Sequence, residues 1–282
     1  MEVLIEFIQF FALSFVIVLI SKYSLVTLLR KLAETLNLSP KAVGNIAGVA
    51  TSVPELLTVS FSAFACLVDT SVFNILSSNI INFVQYSISI SLNKNRKGTQ
   101  NKAIKIDLWM VGITILIPIL MLMTGIETSV SIVPIFFLLF AFCFYLNYNS
   151  HKLYLKKQEE TLGEPIRKET RWLKGKRRKT LMYVVLLGIT GIGLYIVGNA
   201  LSIVLSRLCE SFGIPEWILG ILLGFITSIP ELITFFESQK HYNTKENEEL
   251  GIVEATNNLL SSNLLNLFFI QSIGILIYHM VK

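Results

Sequence analysis

Charge is what this sequence has least of. Only 15% of its 282 residues are Asp, Glu, Lys or Arg, 53% are hydrophobic, and the mean hydropathy is +0.64. A soluble domain of this length has too little interior to hide that much apolar surface, so an all-α integral membrane protein is expected. Histidine and cysteine are scarce too, at three each. Cys66, Cys143 and Cys209 are odd in number and lie in or near apolar runs, which argues against a disulfide framework and leaves nothing with metal-ligand spacing. His151 and His241 fall in hydrophilic segments and His279 near the end. No span therefore supplies a base to activate a buried serine, and the chain is read as a non-enzyme. The net charge of +5 sits between apolar runs, where it reads as a topology signal and not as a nucleic-acid surface. The first run, Val3 to Ile20, has an acidic start and no small-residue cleavage site, so it is read as a retained helix.

What is present is a succession of long apolar runs. A crossing takes about 20 apolar residues. Spans are expected over 3–28, 41–66, 70–92, 105–125 and 130–149, then over 181–206, 214–238 and 252–279. That divides the chain into a first half over 1–149 with five spans, a basic loop over 150–180, and a second half over 181–282 with three. Lys and Arg collect on the cytoplasmic side of short loops. The 150–180 loop, the cluster Lys94, Arg96, Lys97, Lys102 and Lys105, and Arg30, Lys31 and Lys41 all fit one orientation. It puts the N-terminus, Asp69 and Glu127 outside the cell membrane. Basic clusters beside a span also attract anionic lipid, so the bilayer is the expected partner.

Within the spans one pattern recurs. Thr51-Ser52-Val53-Pro54-Glu55 returns as Thr227-Ser228-Ile229-Pro230-Glu231, and Asn74-Ile-Leu-Ser-Ser-Asn-Ile-Ile-Asn82 returns as Asn258-Leu-Leu-Ser-Ser-Asn-Leu-Leu-Asn266. Such self-similarity marks a duplicated unit. Five crossings separate the two copies, an odd number, so the units are inverted in the bilayer. Transporters built on inverted repeats bind near the midplane, where interrupted helices meet.

Glu55 and Glu231 are the only charged side chains expected deep in a span. Burying an ionised group there costs about 2.5–3.5 kcal/mol on insertion scales, which calls for a compensating cation or proton. The alternative is a pair of permanently protonated carboxyls bonded to Asn and Ser. Pro54 and Pro230 lack an N–H and free the carbonyls of Ala50 and Ile226, which survive at that depth only where they line protein or water. Thr51, Ser52 and Thr58 lie within a turn of Glu55, with Thr227, Ser228 and Thr234 as copies. Asn74, Ser78 and Asn82 share a helix face, as do Asn258, Ser262 and Asn266. Ser77 and Ser261 read as helix-packing residues; Asn82 and Asn266 read as ligands. Every donor is a hard oxygen. Calcium takes 6–8 of these, and two carboxylates neutralise it. The soft ligands that select copper or zinc are missing.

These residues resemble the sodium/calcium exchanger (calcium/cation antiporter) superfamily, whose inverted repeats carry Gly-Thr-Ser-x-Pro-Glu on one helix and Gly-Ser-Asn-Ile-x-(Asn/Asp) on the next. Thr51 to Glu55 with Ser78 to Asn82 looks like the first pair, and Thr227 to Glu231 with Ser262 to Asn266 like the second. The resemblance implies an inverted-repeat transporter that exchanges Ca2+ for Na+ or H+ by alternating access, with spans one and six sliding past a four-helix core. It puts Glu55, Asn82, Glu231 and Asn266 on the central cation site and Thr51, Ser52, Ser78, Thr227, Ser228 and Ser262 on flanking positions. Three features depart from the family. Ala50 and Ile226 replace its glycine, and the added side chains are expected to narrow the pocket. Asn266 stands where sodium-coupled members often have Asp, which makes proton exchange credible. Eight spans are read where the family has ten, which implies either a homo- or hetero-oligomer covering the bare face or a degenerate, non-transporting cation-binding relative.

Overall fold

The structure, a computed structural model, describes residues 2–35, 40–93, 98–162, 174–241 and 248–282, and among these every regular element is helical. Helix α1 (Glu2–Ile20) passes through a π-helical turn over Ser21–Val26 into α2 (Thr27–Thr35). There follow α3 (Pro40–Thr51), α4 (Val53–Phe64), α5 (Val68–Leu92), α6 (Lys102–Thr124) and α7 (Val133–Leu162). The second half holds α8 (Lys174–Glu210), α9 (Glu216–Thr227), α10 (Ile229–His241), α11 (Glu248–Leu264) and α12 (Gln271–Val281), the last two joined by a π-helical turn over Leu265–Ile270.

Among the described residues seven segments are long and apolar enough to cross a membrane: Glu2–Leu25, Lys41–Phe64, Lys102–Thr124, Val130–Asn149, Lys179–Glu210, Glu216–Gln239 and Gly251–Val281. The eighth expected span is α5. Its 25 residues reach about 38 Å at 1.5 Å each, enough to cross. Its buried Asn74, Ser77, Ser78, Asn79 and Asn82 lower its hydropathy. One expectation changes. The 150–180 segment is not a loop throughout: α7 continues to Leu162 and α8 starts at Lys174, while 163–173 lie outside the described residues. Lys, Gln, Glu and Leu are good helix formers, so these helices outrun their apolar stretches.

The helices pack in three layers. On one flank α1 and α8 lie together, joined through Phe10, Ile17, Leu194, Leu201 and Leu205. On the other, α6, α7 and the π-helical turn over Leu265–Ile270 gather around Met121, Phe136 and Phe268. The outward faces of α6, α7 and α8 carry Trp109, Leu138 and Ile192, all strongly exposed, as side chains bathed by lipid tails must be.

Between these flanks, α3 with α4, α5, α9 with α10, and α11 make the core. α9 lies along α5, and α3 lies along α11 in the equivalent way. Glycines allow both approaches. A Cβ on Gly44 would meet the Glu254 carbonyl, and one on Gly48 would stand 2.7 Å from the Asn258 carbonyl. In the other repeat, Gly220 and Gly224 would meet the carbonyls of Thr70 at 2.7 Å and Asn74 at 2.8 Å. Each half's broken helix is thus seated on the other half. Small residues four apart are the usual device for bringing membrane helices this close.

Candidate cation site

Both motif helices break at the serine before the proline pair. Ser52 has φ −81 and ψ 0, and Ser228 has φ −80 and ψ 0. The chain is not severed there: Ser52 N–H donates to Gly48 O at 3.2 Å and Ser228 N–H to Gly224 O at 3.2 Å. Pro54 and Pro230 then begin new turns, with Glu55 and Glu231 in the first turn of α4 and α10.

The ten residues singled out by motif and resemblance are all buried, none more than 2% exposed. Glu55 and Glu231 lie within electrostatic reach of each other. The threonines cross over: Thr227 of the second repeat stands beside Glu55, and Thr51 of the first beside Glu231. Ser78 also faces Glu55 without closing a hydrogen bond to it, whereas Ser262 Oγ donates to Glu231 Oε1 at 3.1 Å. Ser52 Oγ is 2.9 Å from both Gly48 O and Ser262 Oγ. Thr51 Oγ1 donates to Gly48 O at 3.3 Å, and Ser78 Oγ lies 3.4 Å from Asn74 Oδ1 and from Gly224 O. Asn82 comes from α5. Asn266 sits in the π-helical turn, an irregularity often found at functional positions.

Buried polar atoms nearly always find a partner. Among the described residues fifteen buried side-chain oxygens have none, and seven belong to these ten positions: both of Glu55, Oε2 of Glu231, Oδ1 of Asn82 and of Asn266, Oγ1 of Thr227 and Oγ of Ser228. All seven are hard oxygens, and three of them belong to the two carboxylates. Among the described residues no group of three or more His, Cys, Asp and Glu side chains gathers elsewhere to hold a metal. The arrangement suits a hard cation whose charge the two glutamates oppose.

A shell of polar groups holds this set. Thr58 Oγ1 lies 3.0 Å from Pro54 O and 3.1 Å from Glu55 O, and it accepts from Asn74 Nδ2 at 2.6 Å. The copy is the same: Thr234 Oγ1 reaches Glu231 O at 2.9 Å and accepts from Asn258 Nδ2 at 2.6 Å. Asn74 and Asn258 were singled out in the sequence only for their helix face; their bonds to Thr58 and Thr234 brace the broken helices. Ser77 and Ser261 stand at helix contacts, Ser77 Oγ 3.5 Å from Gly220 O on α9 and Ser261 Oγ 2.8 Å from Asn45 Oδ1 on α3. Ala50 and Ile226 join the apolar cluster with α1 and α8, so their side chains add to that layer and not to the polar set. Asp107 and Glu254, near the ends of their spans as expected, are nonetheless fully enclosed. Asn147 Nδ2 donates to Asp107 at 3.1 Å, and Ser238 Oγ donates to Glu254 at 2.6 Å.

Inverted repeats whose broken helices bring two acids together inside the bilayer define a membrane ion transporter of the cation-antiporter class. The profile of the sodium/calcium exchanger protein family matches residues 6–150 and 182–282, and the chain belongs to that family. Among solved structures it is similar to the sodium-calcium exchanger NCX_Mj. With the form soaked in 10 mM Na+ and zero Ca2+, identity is 19% and the TM-score 0.55, over 97% of this chain and 83% of the other. With the form soaked in 2.5 mM Na+ and 10 mM Sr2+, identity is 18% and the TM-score 0.53, over 98% and 83%. At that identity the likeness speaks for the fold. No curated protein matches the chain.

Proposed function

We propose that this antiporter moves Ca2+ against Na+ or H+ by alternating access, with Glu55 and Glu231 binding the cation and its counter-ions in turn. The observation that carries this reading is the pair of enclosed glutamates among seven oxygens that no protein donor satisfies. Exchange couples because the calcium and the counter-ions compete for the same carboxylates. Thr51, Ser52, Ser78, Asn82, Thr227, Ser228, Ser262 and Asn266 complete the ligand set. The proposed orientation has the N-terminus outside and the basic clusters in the cytoplasm, following the Lys and Arg distribution. The α1–α8 layer, packed on the core mainly through apolar side chains, is the part proposed to slide.

Charge sets the ratio. Two carboxylates with a neutral Asn266 hold two negative charges, which one Ca2+ or two monovalent ions neutralise. The exchange is therefore expected to be electroneutral. Purified protein in proteoliposomes should take up calcium-45 when an outward sodium or proton gradient is imposed. A potassium diffusion potential set with valinomycin should leave the rate unchanged. A rate that rises or falls with that potential would overturn the two-for-one ratio, and no uptake under either gradient would overturn the antiport reading.

A further inference from the structure

An asparagine can serve a cation only if its amide turns the carbonyl oxygen toward it; turned the other way it presents an N–H2 donor that repels the ion. We propose that Asn79 and Asn263, with the Thr114 carbonyl freed by Pro118, are positioning residues that set the orientation of the Asn266 and Asn82 amides toward the cation. This inference rests on the cation-site reading above.

The orientation follows from groups that leave no choice. Pro118 lies inside α6 and has no N–H to give to the carbonyl four residues earlier, which is Thr114. That carbonyl accepts from Asn79 Nδ2 at 3.3 Å. Asn79 Nδ2 also reaches the backbone carbonyl of Asn263 at 3.4 Å. Backbone carbonyls only accept, so the nitrogen end of Asn79 must face them and its Oδ1 must face the other way. There it accepts from Asn266 Nδ2 at 3.2 Å. The Asn266 nitrogen is thereby committed, and its Oδ1 is one of the buried oxygens without a partner.

The other repeat runs through the same sequence of bonds. Asn263 Nδ2 donates to the Asn79 carbonyl at 3.1 Å and lies 3.4 Å from Thr114 Oγ1. The Thr114 hydroxyl spends its own proton on Val111 O at 2.7 Å, so it can only accept from Asn263. Asn263 Oδ1 then accepts from Asn82 Nδ2 at 3.2 Å, with Ser262 Oγ at 3.4 Å as that nitrogen's second neighbour. Asn82 Oδ1 is left without a partner, like its copy. Asn79, Asn82, Thr114, Asn263 and Asn266 are all fully buried, so no solvent competes for these bonds. Each ligand amide is aimed by the asparagine of the opposite repeat.

The test is a double-mutant cycle read by calorimetric titration of the purified full chain with calcium alone. Asn263→Leu keeps the side-chain size and removes both ends of the amide. It should weaken calcium binding at least tenfold. In an Asn82→Leu background, where no amide remains to be aimed, the same change should alter affinity less than twofold, because residues that act through one another are not additive. An unchanged affinity in Asn263→Leu, or equal losses in both backgrounds, would overturn the proposal. Should Asn263→Leu fail to fold, Asn79→Leu with Asn266→Leu forms the equivalent cycle in the other repeat and is read the same way. Glu55→Gln separates this inference from the reading beneath it. If calcium binding survives that change, the site itself is wrong; if Glu55→Gln abolishes binding while the cycle is additive, only the aiming role fails.

Discussion

Glu55→Gln and Glu231→Gln should each lower gradient-driven calcium uptake more than a hundredfold while leaving the protein folded. Gln matches Glu in shape, so the change removes a charge and substitutes a donor for one acceptor oxygen. At about 4 Å and an effective dielectric of ~20, one unit charge is worth ~4 kcal/mol to another, and roughly double that to a divalent ion. Dehydration of the ion offsets much of this, yet a hundredfold loss needs only about 2.7 kcal/mol. Stability supplies the control. An enclosed, unpaired carboxylate costs free energy, so without calcium neither variant should melt below the parent protein. In the parent, saturating calcium should raise the melting temperature, because a ligand bound only by the native state stabilises it. In both variants that rise should vanish. Uptake and calcium-dependent melting that match the parent in both variants would remove the two glutamates from the site.

The second large effect concerns packing. Gly48→Val and Gly224→Val should each lower stability by at least 1–3 kcal/mol, roughly the usual cost of overpacking, and abolish uptake. The first Cβ alone would stand 2.7 Å from Asn258 O, 2.8 Å from Ser261 Cβ and 3.0 Å from Ser262 N. At Gly224 it would meet Ser77 Oγ, Asn74 O at 2.8 Å and Ser78 N at 3.0 Å. These are backbone and short side-chain atoms of the helices that hold the ligands, so relief must come from moving a helix. Gly191→Ala is the comparison: nothing lies within 4 Å of its Cβ, and Ala favours a helix over Gly by about 1 kcal/mol. That variant should melt no lower than the parent. Thermal unfolding in detergent measures all three, and a Gly48→Val protein as stable as Gly191→Ala would show that α3 does not need its close seat on α11.

Much of this was legible in the chain because a membrane simplifies reading. Hydropathy located every span but the polar α5 outright, and the repeated Thr-Ser-x-Pro-Glu marked the only charges at mid-span. What escaped was whatever depends on a partner far along the chain. The spacing of Gly44 with Gly48 and of Gly220 with Gly224 was there to be read, but not that each pair would seat against the opposite repeat. Pro118 announces a freed carbonyl as plainly as Pro54 does; its use by Asn79, on another helix, is a matter of tertiary packing. The helical continuation of α7 beyond residue 150 escaped for a different reason. Hydropathy reports preference for lipid, while helix formation in water follows other propensities.

The interlocked seating of α3 on α11 and α9 on α5 has a consequence for how such a molecule arose. A solitary ancestral unit would have owned one glutamate, one glycine seam and no groove to put it in. Before the gene doubled, it could have enclosed an ion only by meeting a twin that had entered the membrane upside down.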